Sequence, residues 1–165
     1  MKKSIGLVGA FAAVVLTGCS GGDVPSLPDS NVSKFEFQTA TGLYYFQSAD
    51  HTIKCGIFTR GFPQGAGCQT YMTKVPDSIK ECEPLGGNNA VGVQIVDGKA
   101  GEYCLAQGIW VGPAVEGLDV AGGRVLENGQ VIDVEGTKCQ SKDNVITCTK
   151  DDAGFMMSLK ESKTY

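Results

Sequence analysis

Several absences limit what this chain can do before any element is assigned. It has a single histidine, His51, and no Cys-x-x-Cys pair, so the usual ligand spacing of a zinc site is missing. No glycine-rich phosphate loop, dinucleotide fingerprint or basic stripe occurs, which removes the common warrants for nucleotide chemistry and nucleic-acid binding. No apolar run reaches the about 20 residues that a helix needs to cross a bilayer. Internal repeats of fixed period are also missing. Neither a metal nor a cofactor is expected.

What is present begins with a leader. Met1-Lys2-Lys3 is a short cationic start, and Ile5 to Leu16 is an apolar stretch of the length of an export signal. It ends in Leu16-Thr17-Gly18-Cys19, which resembles the bacterial lipobox. That resemblance implies diacylglycerol on the Cys19 sulfur and cleavage between Gly18 and Cys19, leaving residues 1–18 as a signal peptide. Stable anchoring takes more than one acyl chain, which a lipidated cysteine supplies. The expected location is therefore the cell membrane, lipid-anchored on its extracytoplasmic face. Removing 1–18 takes away Lys2 and Lys3 and no acid, which leaves 12 basic against 18 acidic residues, a net charge of −6. Such a surface gains nothing from phosphate contacts, so nucleic acid is not an expected partner.

With Cys19 given to lipid, Cys55, Cys68, Cys82, Cys104, Cys139 and Cys148 remain. An even number in an exported chain reads as three disulfides. In "TKCQSKDNVITC", a two-residue turn at Asp143-Asn144 sets Lys142 opposite Val145 and Cys139 opposite Cys148. That is a non-hydrogen-bonded pair about 4.5 Å apart, within disulfide range. Cys55 and Cys68 flank "GIFTRGFPQGAG", read as a broad loop closed by a local bridge, and Cys82 with Cys104 follows by elimination.

Residues 19–33, "CSGGDVPSLPDSNVS", read as the lipidated cysteine and a flexible tether. From 34 to 165, short β-favouring runs alternate with turn signals. "KFEFQT", "LYYFQS" and "TIKCGIF" read as strands, and "GFMMSL" as a closing strand. Hairpins are expected around Asp97-Gly98 and Asn128-Gly129, and one short helix near "KVPDSIKECE", capped by Asp77. The expected fold is all-β: a small disulfide-stapled antiparallel sheet or sandwich built of hairpins, with at most one short helix.

"FQSADHTIKCGIF", "GAGCQT", "GEYCLAQG" and the stretch from Arg124 to Tyr165 resemble a family of actinobacterial secreted proteins and lipoproteins with a six-cysteine β domain. The match runs from about Phe46 to Tyr165 and is tightest over Leu126 to Ser158, through Cys139, Ser141, Val145, Cys148, Gly154, Phe155 and Ser158. Ser48-Ala49-Asp50-His51-Thr52 stands where the family has Ser-Pro-Ser-Gly-Asn. The resemblance implies fold and export, and no activity.

Candidate chemistry is sparse. Ser48, Asp50 and His51 lie within four residues, whereas a hydrolytic triad converges from separate parts of a fold, so His51 reads as a turn residue. Asp151-Asp152 and Glu81 with Glu83 lack the alternating spacing of a calcium loop and read as solvated acids. Trp110, in "GIWVGP", has two readings: a plug at the edge of the core, or, with Phe62 of "RGFPQGAG", a contact patch on loops. The function expected is a non-catalytic binding or envelope-structural module, with an envelope protein or glycan as partner besides the membrane held through Cys19. The alternative is an envelope hydrolase or modifying enzyme, which needs two of Asp50, Asp151 and Asp152 about 5 to 10 Å apart in a cleft.

Overall fold

The computed structural model describes residues 22–61, 63–80, 82, 90–105, 107–117 and 121–165. Over these residues the protein is all-β. Strands β1 (Gln38–Ala40), β2 (Leu43–Gln47), β3 (Lys54–Phe58), β4 (Gly65–Tyr71), β5 (Ala90–Val96) and β6 (Lys99–Cys104) pair as antiparallel neighbours in chain order. β7 (Arg124–Val125) joins this sheet in parallel beside β2. The second sheet is again in chain order: β8 (Val131–Val134), β9 (Thr137–Lys142), β10 (Val145–Lys150), β11 (Ala153–Met157) and β12 (Ser162–Thr164).

The sheets pack face to face, β11 against β5 and β6 and β10 against β4. Alternation along each strand sends one set of side chains inward. Phe46, Ile57, Val91, Val93 and Ile95 from the first sheet meet Ile132, Val134, Ile146, Phe155 and Met157 from the second in one buried cluster. Each such side chain contributes about 1.5–3 kcal/mol on leaving water.

Two bridges lie inside this cluster. Cys55 faces Cys68 across β3 and β4, and Cys139 faces Cys148 across β9 and β10, each pair with Cα atoms 4.1 Å apart. The third, Cys82–Cys104, ties the segment after β4 to the end of β6, and its Cys104 is exposed. The β9–β10 register is the one the turn dictates: Asp143 and Asn144 both have positive φ, which matches the twist of a two-residue hairpin. Asp97 and Gly98 do the same between β5 and β6.

Five expectations are corrected. "GIFTRGFPQGAG" is not one broad loop: Gly56–Phe58 belong to β3 and Gly65–Gly67 to β4, and residues 59–64 connect them. Asn128-Gly129 makes no hairpin but the crossing between sheets. Gly129 alone has positive φ, and Gln130 N–H donates to Glu127 O at 2.9 Å, a type II turn in place of the type I′ that a hairpin requires. The expected helix is a 3-10 turn at Asp77–Ile79, and Asp77 is not its cap: Pro76 holds that position, with no side-chain cap bond. A second 3-10 turn, Lys34–Glu36, replaces the start of the strand expected in "KFEFQT", leaving Phe37 buried and Phe35 exposed.

Fifth, residues 22–33 were expected to belong to a flexible tether. They form a strap laid across the second sheet from β12 to β8. Gly22 lies beside the Lys163 side chain and the Tyr165 ring. Val24 occupies the space above Gly154 in β11, where a Cβ would come within 3.2 Å of it. Asp29 pairs with Lys138 of β9 at 2.9 Å. Asn31 clasps edge strand β8: its N–H donates to Val131 O at 3.1 Å and its Oδ1 accepts from Val131 N–H at 2.8 Å. Pro25 and Pro28 favour extended backbone and carry no N–H that would need a strand partner, which suits a segment crossing strands.

Candidate functional site

Strands β3, β4 and β5 carry glycines on the outer face of the first sheet, and these shape the site. Gly56 and Gly67 stand directly opposite each other, leaving a trough without side chains. Residues 107–117 cross this face and lower Trp110 into the trough. A Cβ at Gly67 would fall inside the indole ring, and one at Gly56 would lie 3.3 Å from it. Phe58 flanks the indole at 4.7 Å between ring centroids, and Tyr45 packs edge-on against Phe58 at 5.1 Å.

Polar groups fix the segment in place. Gln69 Oε1 accepts from the N–H groups of Ile109 and Trp110, both at 2.8 Å. Trp110 Nε1 donates to Tyr103 OH, and burial pushes the Tyr103 phenol up to about 12 against a partial offset from that hydrogen bond. Buried Gln47 donates to Gly123 O at 2.7 Å and accepts from Lys54 Nζ. Burial lowers the Lys54 pKa, and the nearby Asp50 charge opposes the shift.

Trp110 is thus 0% exposed, and it cannot supply the loop patch expected of it with Phe62. An indole stacked over two glycines with its N–H satisfied is a core element on the outer side of a sheet. Phe62 lies outside the described residues, as do Cys19, Glu81 and Glu83.

Next to the Trp110 segment is a cleft of about 470 Å³. Tyr71, Val111, Leu159 and Ala90 give it an apolar wall; His51, Thr52, Lys54 and Gln69 give it a polar side. Tyr71 is 66% exposed and Val111 37%. Both stand on positions held firmly from behind, Tyr71 at the end of bridged β4 and Val111 beside the buried indole. The sequence offered a faint signal for Tyr71: it follows Gly67 and Gln69 on alternating positions of "GAGCQTY", the face opposite Cys68.

His51 enters this cleft from a tight turn. Its φ is +61°, and its N–H donates to Ser48 O at 2.9 Å. Ser48 Oγ donates to Asp50 Oδ1 at 2.6 Å and accepts from Ile53 N–H at 3.0 Å, so it faces the carboxylate and not the imidazole. Burial raises the Asp50 pKa, but hydrogen bonds from Ser48 and Thr52 outweigh it and hold the carboxyl below its usual value. Ser48, Asp50 and Thr52 thus satisfy one another within the turn. His51 Nδ1 is buried and has no hydrogen-bond partner among the described residues.

The acids are distributed. Asp50 lies in the β2–β3 turn, beside the cleft. Asp151 and Asp152 form the β10–β11 turn, close to Asp97 of the β5–β6 turn and therefore at the opposite end of the sandwich. The structure does not bring Asp50 to either of them. Asp151 and Asp152 do line a larger hollow of about 620 Å³ with Asp23, Ser26 and Lys138, a polar gap between strap and sheet. Among the described residues no group of three His, Cys, Asp or Glu side chains is placed to hold a metal ion. No family model, curated protein or solved structure matches this chain.

Proposed function

We propose that this protein is a lipoprotein held on the outer face of a bacterial cell membrane through Cys19, and that its sandwich binds an envelope component without catalysis. The leader, the lipobox-like Leu16 to Cys19 and the six paired cysteines support the location. The observation that carries the binding reading is the cleft beside Tyr71, where an exposed aromatic ring sits on a strand stapled by Cys55–Cys68. A contact surface that is already rigid loses little entropy on binding. Its apolar wall with Lys54 and His51 opposite suits a ligand having one apolar face and one acceptor or anionic group, carried by an envelope protein or glycan.

Two variants test the two halves. Cys19→Ala is expected to release the protein from the membrane fraction, and retention there would refute the anchor. Tyr71→Ala is an exposed change expected to alter stability by no more than about 0.5 kcal/mol. It should abolish crosslinked capture of envelope material by the purified domain. Capture equal to that of the unaltered protein would refute the cleft.

A further inference from the structure

We infer that the strap fixes the orientation of the domain on the membrane, with the end of the second sheet that carries Gly22, Lys163 and Tyr165 laid against the phospholipid headgroups. The inference rests on the lipoprotein reading. A free linker of residues 20–33 would let the domain wander about 20 Å from its anchor. The strap removes that freedom, because its contacts begin at Gly22 and continue through Val24, Asp29 and Asn31. Only three residue steps separate Cys19 from Gly22, a reach of about 10 Å at full extension. The anchor therefore emerges at β12, and whatever surrounds Gly22 is held at the lipid surface.

What surrounds Gly22 is suited to that place. Tyr165 is partly exposed, and Lys163 Nζ lies 4.6 Å from the centre of its ring. A ring with a polar tip and a lysine with a long apolar stem both match the headgroup level of a bilayer. Asp23, Asp151 and Asp152 share this end, so the apposition comes from the short connection and not from attraction to anionic lipid. The cleft is carried to the other side. β11 starts at Ala153 near this end and leads to Leu159 at the cleft, and β12 returns so that Tyr165 N–H donates to Gly154 O at 2.9 Å. Five residues of strand span about 17 Å, which separates the His51–Tyr71 cleft from the headgroups.

The test uses the chain from Cys19 onward, its one unpaired thiol coupled to a maleimide lipid in nanodiscs of phosphatidylethanolamine and phosphatidylglycerol. A gadolinium-chelate lipid is added, and amide signals of the isotopically labelled protein are recorded. Signals of Gly22, Lys163 and Thr164 are expected to be lost, while those of His51, Thr52 and Tyr71 persist. The exposed double change Asp29→Ala with Asn31→Ala frees the strap and should replace this pattern with weak, even attenuation; unfolding curves of both proteins confirm that the sandwich persists. Even attenuation of the unaltered chain, strongest loss at His51 and Tyr71, or a pattern unmoved by the double change would each overturn the inference. Because the coupling is chemical, the outcome is independent of lipidation in cells, which Cys19→Ala tests separately.

Discussion

Gly67 and Trp110 can be changed one at a time or together, and the contact between them predicts how the effects combine. Trp110→Ala empties the trough and should cost about 3–5 kcal/mol, as for other buried tryptophans. Gly67→Ala drives a methyl into the indole and should cost about 1–3 kcal/mol by overpacking. In the Trp110→Ala background the same methyl meets open space, so its cost should largely vanish. Denaturant unfolding of the four proteins reads the coupling, and simple additivity would show that the indole and the glycine do not meet. Tyr103 supplies a second check. Its folded pKa is about 12 against an ordinary 10.0, so its contribution to stability is complete below pH 10 and is lost as pH rises through the folded value. An absorbance titration should show one tyrosine ionising well after the others, and Tyr103→Phe should remove that late step.

At the scale of elements, the bridges divide by where they sit. Their sequence separations are 9, 13 and 22. The chain-entropy model assigns them about 2.6, 2.9 and 3.4 kcal/mol, a spread under about 1 kcal/mol. Burial reverses that order. Cys55, Cys68, Cys139 and Cys148 are at most 1% exposed, and replacing such a pair by alanines also leaves a cavity in the core. The Cys82–Cys104 pair should therefore be the least costly to remove and, with Cys104 exposed, the first opened by a mild reductant; mass mapping of alkylated thiols reads the order. The elements legible in the sequence were those whose turn chemistry is local, such as Asp143-Asn144 and Asp97-Gly98. Strand β3 lies within "TIKCGIF", which reads as a strand, whereas β4 was hidden because its glycines look like loop. Gly67 there serves Trp110, 43 residues onward (110 − 67), and no local pattern records where Trp110 will land. The cleft was missed for the same reason: Tyr71, His51 and Val111 meet only once three distant segments are in place.

At the scale of the whole molecule, both sheets are meanders in which, apart from the short parallel strand β7 beside β2, neighbours in space are neighbours in sequence. The strap was unreadable because its composition is that of a linker, and what holds it is supplied by Gly154, Lys138 and Val131, 100 residues or more onward. The bridges follow the meander: counting after Cys19, the first cysteine joins the second, the third the fourth and the fifth the sixth, with no loop enclosing another. A chain entering an oxidising space from its N-terminus would present each cysteine's partner next, before any wrong one. An oxidase acting in order of arrival would thus generate the correct set, with nothing left for an isomerase to repair. Reduced and unfolded protein, reoxidised in a glutathione buffer without isomerase, should regain these three pairs as the dominant product by peptide mapping, and a scrambled mixture would contradict this. A fold whose crosslinks close in the order of its own emergence needs no helper that can tell a right bridge from a wrong one.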